Sequence, residues 1–235
     1  HKKDQQPVTG RVLMVLHGLT RTRSGMTSTS ASTGDHTDVT VVNTSEATTR
    51  ASIVNQAEAL ASVIDNLPHA TEIDFLGHSM GNIVVRYYLG QHKPEGDPRF
   101  RRMVMLAPPN HGSRLARVLQ DNVLFKTFWG VSGQELSKHW DNIEDKLATP
   151  DFEFGIIAGS RPESSALDNP LFNEQNDLVV TVDETRLANA RDFMQHHLLH
   201  STMMNDETVH QAALSFFQNG YFKSASDRTP ISADN

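Results

Sequence analysis

The chain contains no cysteine. A disulfide framework is excluded, and so is a metal site built on thiolates, while the compartment is left open. Long apolar runs are also missing. No stretch approaches the roughly 18 consecutive apolar residues read as a membrane-spanning helix, so no transmembrane segment is expected. Positive charge is scarce as well: 21 Lys and Arg stand against 28 Asp and Glu, for a formal net charge of −7. Without a Lys/Arg stripe, nucleic acid is a poor candidate partner. The densest basic run, Arg99-Phe100-Arg101-Arg102, reads either as a short anion-binding patch or, more plainly, as a solvated strand entrance.

What remains fits one α/β domain over residues 1–235. Residues 1–10 read as a polar leader. The first residue is His1 rather than Met, as expected of a processed product, and cytoplasmic and extracytoplasmic locations both stay open. Oligomeric state is open too.

Apolar runs alternate with helical patterns. Strands are expected at Val12–Leu16, Asp38–Asn43, Ile73–Leu76, Met103–Ala107, Phe154–Ala158 and Phe193–Leu199. Helices are expected at Ala51–Leu67, stopped by Pro68, at Met80–Leu89, and at Val209–Phe217, ended by Gly220. This alternation implies a mostly parallel sheet with helices on both faces, and such sheets carry their sites at the carboxyl ends of the strands. Two stretches fit less well. Ser24–Thr37 is Ser/Thr-rich where the first crossover helix belongs, and reads as a loop or a short, poorly anchored helix, or else as a mobile flap or a modified surface. Residues 113–150 form a possible lid or pocket wall. Within them Val123–Trp129 is the most apolar piece, and Lys138–Lys146 reads as an exposed helix face anchored by Trp140.

Gly77-His78-Ser79-Met80-Gly81 has the G-x-S-x-G form between an expected strand and an expected helix. That context makes it a nucleophile elbow, a strained turn that lifts the serine off the sheet end. Ser79 is a weak nucleophile alone and needs a base, which needs an acid to orient it. The chain order Ser, acid, His directs the search downstream. Asp168, Glu174, Asp177, Asp183 and Glu184 are the acid candidates; Asp177 is favoured by its loop position, with Asp183 next. His200 follows the last expected strand and takes the base position. His196 and His197 read as structural, lying on that strand or at its entrance, and a metal site among the three is not favoured. His210 is expected to be exposed, and His78 packed rather than chemical. His111 lines the pocket or merely packs its loop. An oxyanion needs two backbone donors: Met80, and Leu19 in the loop after the first strand.

His17-Gly18-Leu19, the elbow, Ala107-Pro108-Pro109-Asn110-His111-Gly112-Ser113, Asn176-Asp177 and His200-Ser201 together resemble the α/β-hydrolase superfamily, more narrowly its small bacterial esterases and lipases. The likeness runs from Val12 to Phe217. It implies an α/β-hydrolase fold with about six strands, a nucleophile Ser79, acid Asp177 and base His200, and an oxyanion hole at Leu19 and Met80. His17, Gly18, His111, Phe125, Phe128 and Trp129 are then expected to line the substrate site. The implied activity is hydrolysis of a carboxylic ester, of a small molecule or a lipid, without metal or organic cofactor. A thioesterase, amidase or acyltransferase would use the same residues, and a non-catalytic binding protein is the alternative of another class. Many relatives carry Gly after the acid, where this chain has Leu178, so the turn is expected to differ.

Overall fold

Successive side chains on the central strands are apolar on both sides, so the sheet has to be covered twice. The computed structural model describes residues 8–17, 39–43, 51–94, 97–119, 140–161 and 174–233. Among them, six strands form one sheet: β1 (Gly10–Leu16), β2 (Val39–Asn43), β3 (Ala70–His78), β4 (Phe100–Leu106), β5 (Glu153–Gly159) and β6 (Asp192–His196). Their order is β2-β1-β3-β4-β5-β6 and every pair is parallel. The α-helices of the described residues are α1 (Ile53–Asp65), α2 (Met80–Gln91), α3 (Arg114–Leu119), α4 (Trp140–Glu144), α5 (Val182–Thr185) and α6 (Glu207–Asn219).

Alternation along the strands divides the core in two. Val12, Met14, Ile73, Phe75, Met103, Met105, Phe154 and Ile156 pack with α1 and α2 on one face. Val15, Leu76, Val104, Leu106 and Ile157 pack with α6 on the other. No helix of the described residues is long and apolar enough to cross a membrane. The segment 24–37 and Val123–Trp129 lie outside the described residues. On either side of the latter, α3 and α4 are described, and Trp140 and Ile143 are buried as anchors.

Several boundaries differ from expectation for identifiable reasons. The first helix starts at Ile53 because Ser52 caps it, accepting from the Asn55 N–H at 3.1 Å. Strands β3 and β4 reach further back than their apolar runs because charged residues pair across the ladder. Arg101 meets Glu72 at 3.0 Å and Asp74 at 2.9 Å, and Arg102 meets Glu153 at 2.7 Å. The run Arg99–Arg102 is therefore neither an anion patch nor a solvated entrance, since Arg99 also pairs with Asp97 at 2.7 Å. Arg101 and Arg102, joined by Arg11, further donate to the Phe217 carbonyl near the C-terminus of α6 at 2.7, 2.8 and 3.2 Å. Three cations thus meet the negative end of that helix dipole. Strand β6 stops at His196, three residues before the expected Leu199. Its neighbour β5 ends at Gly159, and the Ser160 N–H takes the His196 carbonyl at 2.9 Å, leaving no ladder beyond. His197 lies past the strand, against Ser160 Oγ at 3.1 Å.

The polypeptide after α6 is tied to this last strand. Asp192, buried at the start of β6, accepts from the backbone N–H groups of Phe193 (2.9 Å), Phe222 (2.8 Å) and Thr229 (2.9 Å). Thr229 Oγ1 donates to the Phe193 carbonyl, and the Ile231 N–H to the Ala190 carbonyl at 2.9 Å. Replacing Asp192 by Ala leaves buried donors without their acceptor. The expected loss is about 2–4 kcal/mol in urea unfolding, with amides 222–231 losing hydrogen-exchange protection first; unchanged protection there would contradict the assignment.

Candidate active site

Chain order reverses at β1, which has β2 on one side and β3 on the other. Open α/β sheets form a crevice at the carboxyl ends beside such a switch point. His17 follows β1 there, and Ser79 follows β3.

Ser79 has φ 54° and ψ −128°, a conformation that costs a non-glycine residue of order 1–3 kcal/mol. Its neighbours hold it there. The Ser79 N–H donates to the Leu106 carbonyl at 2.9 Å. Asn82 Nδ2 bridges the Ser79 and Leu106 carbonyls at 3.0 and 3.1 Å. Glycine is needed on both sides for space. A Cβ on Gly77 would lie 2.1 Å from Asn82 Oδ1, and one on Gly81 2.5 Å from the Leu16 carbonyl oxygen. Met80 opens α2 and is buried; a first-turn N–H has no acceptor within its own helix.

Asp177 lies in a tight turn between β5 and α5. Its Oδ1 accepts from the Val179 and Val180 N–H groups at 2.9 and 2.7 Å, and its Oδ2 from His200 Nδ1 at 2.7 Å. The turn is closed by Leu178 at φ 79°, whose N–H donates to Asn176 Oδ1 at 3.0 Å. A left-handed leucine thus takes the conformation that glycine adopts more cheaply. Gly159, ending β5, leaves room for acid and base loops together, since a Cβ there would lie 2.8 Å from both Asp177 Cβ and the Leu198 carbonyl. The His200 N–H also donates to the Asp177 carbonyl at 3.1 Å. Both side chains are buried, Asp177 at 1% and His200 at 9% residue exposure.

The acid and base candidates are therefore in direct contact, and the elbow meets the base through His78. His78 Nε2 donates to the His200 carbonyl at 3.0 Å, and the two rings lie 4.7 Å apart. Among the described residues Ser79 Oγ makes no hydrogen bond; such contacts are often long until substrate arrives. Burial first, then the charge of His200, hold the His78 pKa well below the ordinary histidine range, against the opposing pull of its hydrogen bond. Burial also lowers His17, whose Nε2 accepts from Asn43 Nδ2 at 3.4 Å.

Of the other acids, Asp183 is exposed beside Arg186 at 3.5 Å, and Glu174 pairs with Arg114 at 3.3 Å. Glu184 serves the capping box of Thr181. Asp168, Gly18, Leu19, Phe125, Phe128 and Trp129 lie outside the described residues, and His111 is exposed after β4. His196 faces Asp206 at 3.6 Å rather than His197 or His200. The expectation that His210 is exposed is corrected: its ring is largely covered because Nε2 donates to the Met204 carbonyl at 2.8 Å. Arg86 carries a role no spacing announced, although it is the single charge in the apolar run 83–89. It is buried in α2 and donates to Asn110 Oδ1 (3.0 Å) and to the Ala148 carbonyl (3.0 Å), and Asn110 in turn donates to Thr185 (2.8 Å). Burial pulls its guanidinium down to about 10, opposed by Glu144.

Comparison with known proteins bears on the family and on the fold. Residues 1–132 match the family model described as Domain of unknown function (DUF7379), and the chain belongs to that family. No curated protein matches it in sequence. Among solved structures, a metagenomic carboxyl esterase superposes with TM-score 0.61 at 17% identity, over 83% of this chain and 66% of that one. The mature lipase BlEst2 of Bacillus licheniformis gives 0.59 at 15% identity, over 91% and 94%. Phospholipase PlaB of Legionella pneumophila gives 0.56 at 16%, over 76% of this chain and 46% of that one, so the chain spans less than half of the phospholipase. These likenesses show the α/β-hydrolase fold.

The neutral burial of His78 has a pH signature. The unfolded chain takes up this proton near the ordinary value of 6.5, the folded chain only at lower pH. Between those values the unfolded state binds more protons, so stability falls as pH drops below 6.5. The slope reaches up to about 1.4 kcal/mol per pH unit for one proton. His78→Gln, which cannot titrate, is expected to flatten the acid limb of urea-unfolding stability measured from neutral to mildly acidic pH, with His17 supplying the remainder; an unaltered slope would mean that His78 is not held neutral.

Proposed function

We propose that this protein is a serine hydrolase that cleaves carboxylic esters through an acyl-enzyme. The observation that supports it best is the Asp177–His200 hydrogen bond of 2.7 Å, linked through His78 to the turn that carries Ser79. The Asp177 carboxylate keeps the proton on His200 Nδ1, leaving Nε2 as the basic nitrogen. Ser79 Oγ attacks the acyl carbon as His200 Nε2 takes its proton. The oxyanion accepts from the N–H groups of Met80 and Leu19. His200 then returns the proton to the departing alkoxide, and water, activated by the same imidazole, releases the acid and restores Ser79. His17, Gly18, His111, Phe125, Phe128 and Trp129 are proposed to line the pocket for the acyl and alcohol groups. The choice of ester agrees with the names of the structural neighbours, a lipase, a carboxyl esterase and a phospholipase.

A fluorophosphonate probe is expected to label the native protein stoichiometrically, with the adduct on Ser79 by peptide mass spectrometry. Ser79→Ala should abolish labelling, and Ser79→Ala or His200→Ala should lower kcat/KM on p-nitrophenyl esters by at least about 1,000-fold. A folded protein that takes no label, or esterolysis undiminished in Ser79→Ala, would overturn the reading.

A further inference from the structure

The G-x-S-x-G pattern assigns no role to the position before the nucleophile, but here it reaches across the site. His78 is 4% exposed, and its Nε2–H meets the backbone carbonyl of His200, 122 positions further along the chain, at 3.0 Å. His200 is thus held on both sides of its own Cα. Its N–H is tied to the Asp177 carbonyl at 3.1 Å and its carbonyl to His78. The two Asp177 contacts, backbone and carboxylate, set the base relative to the acid. Neither sets it relative to Ser79. Among the described residues the His78 hydrogen bond is the polar link between the elbow and the base loop. It springs from the residue whose backbone leads directly into the strained Ser79 turn, so it transmits the turn's position to the base without an intervening element.

We infer that His78 is a positioning residue: its Nε2–H···O=C hydrogen bond to His200 sets the reach of the base to Ser79. This rests on the proposed hydrolase reading. The ring has to carry its proton on Nε2 to donate, so one tautomer is selected, and the ring packs against that of His200 at 4.7 Å. A misplacement of the base by about 1 Å is enough to cost about 100-fold in rate, whereas substrate affinity does not depend on it.

The test compares wild type with His78→Gln, whose amide reaches the position of Nε2, and with His78→Asn and His78→Leu, which do not. Thermal melts identify which variants fold, and the Gln–Asn comparison alone decides if the Leu variant does not. The expected result is kcat on p-nitrophenyl esters lowered about 10- to 100-fold in the Asn and Leu variants, with KM unchanged, and largely restored by Gln. In parallel, the far-downfield proton NMR signal of His200 Nδ1–H in its bond to Asp177 is expected to broaden in Asn and Leu and to return in Gln. Undiminished kcat and an undisturbed signal in Asn and Leu would overturn the inference. So would an equal loss in Gln, Asn and Leu, which would mark His78 as packing alone. The NMR signal does not require turnover. If wild type takes no fluorophosphonate label while that signal still depends on His78, the hydrolase reading fails and the positioning role stands.

Discussion

Everything at the candidate site depends on how closely α2 can approach the end of β1. The helix has to begin immediately after Ser79 for its first N–H groups to face the crevice, and it can do so only because Gly81 presents no side chain to the Leu16 carbonyl. The same closeness forces Ser79 into its unusual φ and ψ. Strain of this size does not persist unless the surroundings over-determine it. Here the restraint comes from the adjoining strand: the last carbonyl of β4, that of Leu106, receives both the Ser79 N–H and the Asn82 amide. The turn is thereby registered on the sheet, and whatever is attached to the turn inherits that register.

The two ends of the sheet are built on opposite electrostatic plans. At the amino ends of the strands, arginines and carboxylates neutralise one another and cover the end of α6. At the carboxyl ends, the described residues that gather are the imidazoles of His17, His78 and His200 and the carboxylate of Asp177, all buried. Hydrogen bonds to backbone groups hold them, as with Asp177 on the Val179 and Val180 N–H groups. Such restraint leaves little reorganisation to be done when a charge appears nearby, which is the condition for electrostatic stabilisation of a reaction. Arg86 follows the same rule, joining α2 to the loop after β4 through carbonyl and amide oxygens.

Much of this could be read from the sequence because the informative patterns are local. Runs of strand length located the six described strands, and the chain order from the elbow singled out Asp177 and His200, which lie in contact. Strand ends were less legible, because β3 and β4 are extended by ion pairs between residues distant in sequence, as between Arg101 and Glu72. The turn at Leu178 was open to question from the missing glycine, but its left-handed backbone was not predictable from a leucine. Least legible were His78 and Arg86. Each was a polar residue in an apolar run, a signal of burial, but only the folded chain reveals which carbonyl each one meets.

The strap that follows α6 has a consequence beyond the stability of the chain that carries it. Edge strands are where sheets grow, by accepting a strand from another molecule. Around β6, hydrogen-bonding groups that face outward are already answered by the chain's own tail, through Thr229 on the Phe193 carbonyl and Ile231 on that of Ala190. A foreign strand arriving there has to displace a segment anchored by a buried carboxylate and by the side chain of Ile231 in the core. Growth of the sheet at this edge is therefore in competition with an intramolecular occupant at high local concentration, and the contest is decided within the chain before a second molecule arrives.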